Sequence, residues 1–238
     1  MALTAAVVLL AGREWALLGA TAPGRAWAFG FLCALLTLAA ASLPALALPV
    51  LGVATAFWLL LAPWWLARGM AAAPGGALAA AGIVALVPAG LAMALLPPWQ
   101  LLQLLGLAWT SDTAAYLAGR ALGRHQLAPS ISPGKTREGV AGALVASALY
   151  AIIWAALDPA LGARVQGRAW LAYLAAALGL CALGVVGDLF ESAVKRRAGV
   201  KDSGALLPGH GGVLDRIDSV TAAAPMFLLG IRWLETVA

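Results

Sequence analysis

Long apolar runs separated by short polar segments dominate this chain of 238 residues. The runs are about 17–23 residues long, the length that an α-helix needs to cross a hydrocarbon core of roughly 30 Å. They do not alternate apolar and polar residues, as the strands of a membrane barrel would. The predicted spans are residues 2–20, 26–41, 44–67, 77–96, 99–119, 139–157, 169–197 and 219–236. The first is interrupted by Arg13-Glu14-Trp15, whose charges we expect near its interfacial end, with Trp15 as an interface anchor. The pattern predicts an all-α, polytopic transmembrane bundle of about eight spans, because lipid leaves backbone groups no partner outside a helix.

Composition supports a membrane protein and excludes an ordinary soluble domain. Hydrophobic residues make up 63% of the chain and charged residues 11%, whereas soluble domains are about 25% charged. No repeat of fixed period is visible. We expect one integral membrane domain over residues 1–238, with N-terminal helices in 1–98 and the more polar helices and loops in 99–238.

The basic residues predict the orientation of the bundle. The net charge is +5, but the cations lie in short loops, which indicates orientation in a membrane instead of nucleic-acid binding. With eight alternating spans, eleven Lys and Arg fall on one side and only Arg164, Arg168 and Arg232 on the other. The loops after the fifth and seventh spans should therefore face the cytoplasm, from the inner membrane. The first span then begins outside, which leads us to expect a missing upstream helix.

An aspartate lies inside the fifth predicted span. Asp112 is flanked by Thr110, Ser111 and Thr113, and Tyr116 follows one turn later on the same face. An ionisable group within a span indicates a functional site. The alternative is a helix-packing aspartate bonded to the neighbouring hydroxyls.

The loop after this span carries cations beside a Pro-Gly pair. Residues 130–139 include Ser132, Lys135, Thr136 and Arg137. A Pro-Gly turn can present backbone N–H groups, and the two cations can bind phosphate oxygens. The alternative is an ordinary basic loop.

Five of the ten carboxylates fall within residues 188–218. Spacings of three, four and seven place Asp188, Glu191, Ser192 and Lys195 on one face of the seventh helix. We expect this polar stripe to face a cavity in the bundle near the cytoplasmic surface. Arg196 next to it can serve the site or merely anchor the helix at the interface.

A glycine-rich loop joins the seventh and eighth helices. It carries Lys201 and Asp202, then His210 among glycines, then Asp215, and Arg216 to Asp218 open the last helix. Glycines permit close approach of the backbone to a ligand. A lone histidine is usually structural, and Asp218 or Ser219 can simply cap the last helix.

These groups together suit a phosphorylated substrate and a hard cation. Mg²⁺ takes oxygen ligands and commonly holds substrate phosphates through one or two carboxylates. Asp188 and Asp215 are the candidate metal ligands, with Lys and Arg around them for phosphate. The residues alone therefore predict a metal-dependent site for a phosphorylated substrate at the cytoplasmic interface.

The run from Ser192 to Asp218 reads SAVKRRAGVKDSGALLPGHGGVLDRID. It closely resembles the signature of the phosphatidate cytidylyltransferases, also called CDP-diacylglycerol synthases: Ser, Lys-Arg, Lys-Asp, His-Gly-Gly and Asp-Arg-x-Asp at this spacing. The segments DTAAY at 112–116 and SPGKTREG at 132–139 are also similar to the family. The resemblance covers the chain from Trp109 onward, whereas the first hundred residues match in hydropathy alone. Family members usually begin with a basic segment and one more span.

The resemblance implies that CTP and phosphatidate give CDP-diacylglycerol and pyrophosphate, with Mg²⁺ and room for a second cation. The phosphatidate phosphate would attack the α-phosphorus of CTP, and no general base is needed for an anionic nucleophile. Asp188 and Asp215 would bind metal with Ser192 in support, and Lys201, Asp202, Arg216 and Asp218 would complete the catalytic loop. Candidate substrate-binding residues are Asp112, Tyr116, Ser132, Lys135, Thr136, Arg137, Lys195, Arg196 and His210.

Two other functions stay open at this point. A CTP-dependent kinase for polyprenol or dolichol would transfer the γ-phosphoryl group to an alcohol. A transporter of anionic lipids could use the same charged residues for binding, although the internal symmetry typical of transporters is not visible. The expected partners are CTP, phosphatidate and membrane lipids, not nucleic acid, and a homodimer is left open.

Overall fold

A computed structural model of the chain describes residues 1–70, 74–206, 209 and 211–237. Helices form most of this part, and their order along the chain follows the predicted spans. They are α1 (Ala2–Leu18), α2 (Pro23–Ser42), α3 (Pro44–Ala56), α4 (Ala62–Arg68), α5 (Gly75–Leu95), α6 (Pro98–Leu122), α7 (Arg137–Leu157), α8 (Pro159–Arg164), α9 (Arg168–Arg197) and α10 (Asp218–Val237). A π-helical turn, Phe57–Leu61, joins α3 to α4, and a 3-10 turn, Leu214–Arg216, precedes α10.

The helical, membrane-spanning character of the chain is confirmed. Among the described residues, five helical segments are long and apolar enough to cross a membrane: Pro23–Ser42, Pro44–Arg68, Gly75–Leu95, Arg137–Leu157 and Arg168–Arg197. The remaining predicted spans coincide with α1, α6 and α10. The count of eight crossings stays a prediction.

The bundle is all-α as predicted, with the addition of a small β-hairpin between α6 and α7. Strand β1 (Gln126–Ala128) pairs with β2 (Ser132–Thr136) in antiparallel register. The expected Pro-Gly turn is wrong, because Pro133 and Gly134 lie within β2 and the turn is formed by residues 129–131. Lys135 is therefore presented by a strand, and Arg137 is the first residue of α7.

The hairpin is fastened to the start of α7 by short polar contacts. Thr136 caps the helix, its Oγ1 accepting the N–H of Gly139 at 3.0 Å, as N-cap hydroxyls do. The Glu138 carboxylate accepts the backbone N–H groups of Arg124 and His125, each at 3.2 Å. These contacts fix the direction in which β2 presents its side chains.

The N-terminal helix lies inside the bundle, against the expectation of an interfacial Arg13-Glu14-Trp15 segment. Trp15 is 4% exposed, and its indole N–H donates to the Leu78 carbonyl of α5 at 2.8 Å. A side chain at Gly82 would collide with the Trp15 ring. The tryptophan is thus a core residue that joins α1 to α5.

An aromatic cluster sets the rotation of α9. Phe190 is fully buried, and the rings of Phe57, Trp58 and Trp65 lie 5.5, 5.5 and 5.9 Å from it, centroid to centroid. Two residues correspond to about 200° around a helix of 3.6 residues per turn. Burial of Phe190 therefore turns Asp188 to the opposite side of α9.

Small residues bring the start of α10 against this polar side. A Cβ at Gly187 would lie 2.6 Å from the Asp218 carbonyl oxygen, and one at Gly184 would lie 3.4 Å from the Ser219 Cβ. Small residues allow such close approach of membrane helices. The contact places Asp218 and Ser219 beside the polar face of α9.

Candidate active site

The predicted polar face of α9 is confirmed, and strand β2 reaches it. Ser192 donates to the Asp188 carboxylate at 3.3 Å, one helical turn away. Lys135 of β2 forms an ion pair with the other oxygen of Asp188. The basic segment and the acidic helix, fifty residues apart in the chain, thus meet at one carboxylate.

Two further carboxylates lie around Asp188. Asp112 of α6 accepts a hydrogen bond from the Ser219 hydroxyl of α10 at 3.4 Å, and Asp218 accepts the Ser219 N–H at 2.7 Å. The charge of Asp188 acts on both Asp112 and Asp218. Three helices therefore contribute one carboxylate each to a single acidic cluster.

A buried ion pair joins the end of α9 to the turn before α10. The Lys195 ammonium lies 2.6 Å from Asp215 Oδ1 and 3.1 Å from Glu191 Oε2. Its side chain is 11% exposed, and that of Asp215 is 9% exposed. Lys195 was predicted to bind substrate, and here it links two acidic side chains of the chain itself.

The second oxygen of Asp215 organises the glycine-rich loop. It accepts the Ser203 N–H at 3.0 Å, the Ser203 hydroxyl at 2.9 Å and the Gly212 N–H at 2.7 Å. Gly211 has φ of +82°, and a Cβ there would approach the same carboxylate at 2.7 Å. Burial raises the pKa of Asp215, but the hydrogen bonds from Lys195, Gly212 and Ser203 outweigh it and lower that pKa to about 2.

Glu14 of α1, which we expected at the membrane interface, is a buried carboxylate on which this loop packs. It is 1% exposed. Its carboxylate accepts the N–H groups of Val213 at 3.1 Å and Leu214 at 2.8 Å, and the Ser203 hydroxyl at 3.2 Å. The signal that could have identified it is the one applied to Asp112, an acidic residue inside an apolar run.

Glu14 explains why two positions of the loop are glycine. A Cβ at Gly204 would lie 2.6 Å from Glu14 Oε1, and a Cβ at Gly212 would collide with the Ser203 hydroxyl and with Glu14. Close packing of backbone on a buried carboxylate leaves no room for a side chain. Glycines expected to make room for a ligand thus also make room for Glu14.

Arg196 ties the site to the hairpin. Its Nε donates to the Ile131 carbonyl at 3.1 Å, and its guanidinium also donates to the Val200 carbonyl at 3.2 Å. The sequence predicted that Arg196 is either an interfacial anchor or a phosphate ligand. Neither role includes a hydrogen bond to the hairpin. Ser132 follows Ile131 directly, so Arg196 also holds the start of β2 near α9.

Several predicted residues lie at the edge of this cluster. Lys201 and Asp202 are exposed, and so are Arg137 and Arg216. Tyr116 is 61% exposed, and its hydroxyl accepts a hydrogen bond from Arg120 at 3.0 Å. Thr136 serves as the helix cap already described, and His210 lies outside the described residues.

Asp188 and Asp215, the two predicted metal ligands, are not equally suited to bind a divalent cation. The Asp215 side chain is 9% exposed and accepts four hydrogen bonds from the chain. Asp188 also has a partner on each oxygen, Ser192 and Lys135, but its side chain is 29% exposed and it has Asp112 and Asp218 as neighbours. In the described part, no three His, Cys, Asp or Glu side chains are grouped to hold a metal by themselves. Mg²⁺ often takes only one or two carboxylates and completes its shell with substrate phosphates. The cluster around Asp188 fits that arrangement, and Asp215 fits a role in holding the loop.

The lowered pKa of Asp215 predicts how the loop responds to pH. A carboxylate with a depressed folded-state pKa stabilises the fold above its unfolded value of about 3.9, and the effect is lost as pH falls towards 2. We expect trypsin cleavage after Lys201, divided at each pH by the cleavage rate of a short peptide substrate, to be equally slow from pH 6 to pH 9 in the wild type. Asp215→Asn should cleave faster throughout that range. Equal cleavage of the two proteins would contradict the role given to Asp215.

The fold and the site together define a helical integral membrane protein with a cluster of carboxylates and lysines between α6, α9, α10 and a short hairpin. The chain belongs to the cytidylyltransferase family, whose sequence model matches residues 1–234. It is 41% identical over 243 residues to the phosphatidate cytidylyltransferase of Pseudomonas aeruginosa, covering 93% of this chain and 83% of that protein.

Two other relatives named phosphatidate cytidylyltransferase match over shorter regions. The protein of Haemophilus influenzae is 46% identical over 127 residues, covering 53% of this chain and 43% of the relative. That of Brucella suis is 47% identical over 133 residues, covering 56% and 47%. In these two alignments the matched part spans less than half of the relative's length.

The similarity to the family extends further towards the N-terminus than the motifs indicated. The first hundred residues were expected to resemble the family in hydropathy alone, but the family match begins at residue 1. The contacts of Glu14 with the loop give a physical reason, because α1 supports the site directly. The expectation that only the region from Trp109 onward resembles the family was therefore wrong.

Proposed function

We propose that the chain transfers the cytidylyl group of CTP to phosphatidate, giving CDP-diacylglycerol and pyrophosphate. The observation that carries the proposal is the meeting of Lys135, Asp188, Asp112 and Asp218 in a protein of the cytidylyltransferase family. The relative that aligns with 93% of this chain bears the name of this activity. An apolar bundle also places the site where a lipid substrate can reach it.

The charges of the cluster suit two phosphorylated substrates. Lys135 supplies a cation on a strand, and the exposed Arg137 next to it, at the start of α7, adds a second. Mg²⁺, held by Asp188 with help from Asp112 or Asp218, would neutralise phosphate charge as the leaving pyrophosphate forms. Whether Asp215 also binds metal stays a prediction, and its four hydrogen bonds favour a positioning role.

The reaction needs positioning more than proton transfer. A phosphatidate oxygen forms a bond to the α-phosphorus of CTP, and the bond from that phosphorus to the β-phosphate bridging oxygen breaks. Phosphatidate is already an anion near neutral pH, so no side chain has to remove a proton. The chain's part is to hold both anions together, which Lys135 and the residues of the loop would do.

Charge asymmetry supports a cytoplasmic position for the site. The eleven cations assigned to one side include Lys135, Arg137, Lys195, Lys201 and Arg216, all on or near the cluster. Since cytoplasmic loops of membrane proteins carry an excess of Lys and Arg, we place the site at the inner leaflet of the cytoplasmic membrane. CTP is then available from the cytoplasm.

Product analysis tests the activity. The purified protein in detergent is given Mg²⁺ and CTP labelled on the α-phosphate, with either phosphatidate or a polyprenol as the acceptor, and with and without EDTA. The label should pass into lipid with release of one pyrophosphate per label. Release of CDP with label retained in the nucleotide would indicate a lipid kinase, and absence of turnover would favour a transporter.

Removal of the Lys135 charge is expected to weaken CTP binding. In Lys135→Met, the KM for CTP should rise about 10- to 100-fold, since a charge-assisted hydrogen bond contributes about 1.5–3 kcal/mol. Steady-state kinetics at varied CTP measure the effect. Arg25→Met, which removes an exposed cation at the start of α2, is the control and should match the wild type. An unchanged KM for CTP in Lys135→Met would remove Lys135 from the binding site.

A further inference from the structure

A cavity of about 700 Å³ lies between α6, α7, α9 and α10 and extends away from the acidic cluster. Its wall is largely apolar and includes a row of small α9 side chains, Ala169, Ala172, Ala176 and Gly179. This volume falls within the range of about 300–1,000 Å³ typical of ligand pockets. A cavity of this size in a bundle of membrane helices has a hydrocarbon chain as its natural occupant.

The cavity begins at Leu107 and Leu180, which also line the small pocket beside Asp112, and extends from there towards the other end of the bundle. Ala177 precedes Asp188 by eleven residues and Ala169 by nineteen, which places them about 16 and 28 Å from it along the helix at 1.5 Å per residue. Met226 of α10, also in the wall, lies about 12 Å beyond Asp218 by the same rise. With a hydrocarbon core of about 30 Å, the cavity extends from near the bilayer centre towards the other surface.

Two polar groups at the cavity point to a ligand with more than a hydrocarbon chain. Trp154 of α7 lines it and is 9% exposed, yet its indole N–H has no acceptor among the described residues. A buried donor without a partner is costly, and buried polar groups normally have one. The N–H is shielded from the cavity as the side chain stands, so a small rotation of the indole is needed to bring it to an oxygen of the occupant.

The second polar group is a cation. Arg164, at the end of α8, lines the cavity and is exposed. It forms none of the ion pairs found among the described residues. The nearby acidic residue of the same connection, Asp158, is engaged by the N–H groups of Ala160 and Leu161. Arg164 is thus available to a phosphate at the membrane surface.

We propose that this cavity binds a phospholipid, with an acyl chain along the small residues of α9, an ester carbonyl at the Trp154 N–H and the phosphate at Arg164. The bound lipid belongs to the leaflet opposite the acidic cluster. It is separate from the lipid substrate and does not depend on the proposed reaction. The other conceivable occupant, a second copy of the chain, would not supply the phosphate that Arg164 favours.

Native mass spectrometry with dioleoyl phosphatidylglycerol, which is not the expected substrate, tests the site. The delipidated protein in detergent should bind one such lipid. Ala172→Trp, which fills the cavity, should weaken binding at least about tenfold, the loss expected when a few methylenes no longer fit. Arg164→Gln and Trp154→Phe should each weaken it several-fold without adding volume, which keeps the test valid if Ala172→Trp fails to fold.

The controls separate this site from its alternatives. Ala182→Trp alters an exposed residue of α9 outside the cavity, and Arg25→Gln removes an exposed cation elsewhere; both should bind like the wild type. Asp188→Asn, or added dihexanoyl phosphatidate, should leave the bound phosphatidylglycerol in place. Displacement by either would assign the lipid to the acidic cluster and overturn the proposal. Unchanged binding in Ala172→Trp, Arg164→Gln and Trp154→Phe would also overturn it, with a shifted monomer–dimer ratio indicating a protein interface.

Discussion

Asp188→Asn is expected to lower cytidylyl transfer by about 100- to 1,000-fold, the range seen when one group that stabilises transition-state charge is removed. The amide has nearly the same shape but lacks the charge that pairs with Lys135 and that would hold Mg²⁺. Transfer of α-labelled CTP into lipid measures the effect. The protein should still be recovered from membranes as a monodisperse species, since Ser192 can still donate to the side-chain oxygen.

Asp158→Asn is the matched control for this substitution. Asp158 caps α8 through the N–H groups of Ala160 and Leu161, and asparagine caps a helix about as well as aspartate. Its activity should stay within about twofold of the wild type. Equal activities of Asp188→Asn and Asp158→Asn would remove Asp188 from the reaction.

Glu14→Ala is expected to release the glycine-rich loop. Two donors, the N–H groups of Val213 and Leu214, would lose their acceptor in a buried site, whereas the Ser203 hydroxyl would keep Asp215 as its acceptor. Loss of a charged acceptor costs about 1.5–3 kcal/mol and leaves buried donors unsatisfied, so thermal stability should fall. Because the same loop holds Asp215, we expect transfer to fall by about 100-fold, mostly in kcat.

A conservative substitution distinguishes positioning from general loss of structure. Glu14→Gln keeps one acceptor oxygen and should recover a large part of the activity. In Glu14→Ala, trypsin should cleave after Lys201 faster, while cleavage elsewhere stays as in the wild type. Wild-type turnover in purified Glu14→Ala would show that the loop needs no support from α1.

The helices and the acidic face of α9 could be predicted because they depend on local periodicity. Spacings of three, four and seven placed four polar residues on one face of α9. The structure confirms it, because Ser192 donates to Asp188 and Lys195 donates to Glu191. Asp112 was found by the cost of a charge within an apolar run. The helical spacing of polar residues and the cost of a charge in an apolar run can both be judged from residues close together in the sequence.

The contacts that were missed join distant parts of the chain. Glu14 and Leu214 are separated by 200 residues, and no local pattern indicates which buried acid meets which loop. Trp15 looked like an interfacial anchor because tryptophan is common at membrane surfaces, but its neighbours in α5 and α9 decide its burial. The hairpin was missed because strand β1 has only three residues, too few for an alternation to show.

The measurement that tests the account most directly is a structure of the protein with a non-hydrolysable CTP analogue and Mn²⁺. The anomalous signal of the metal should lie about 2.1 Å from an Asp188 carboxylate oxygen, as expected for a small divalent cation. The triphosphate should contact Lys135. A metal and nucleotide bound away from Asp188 and Lys135 would contradict the account.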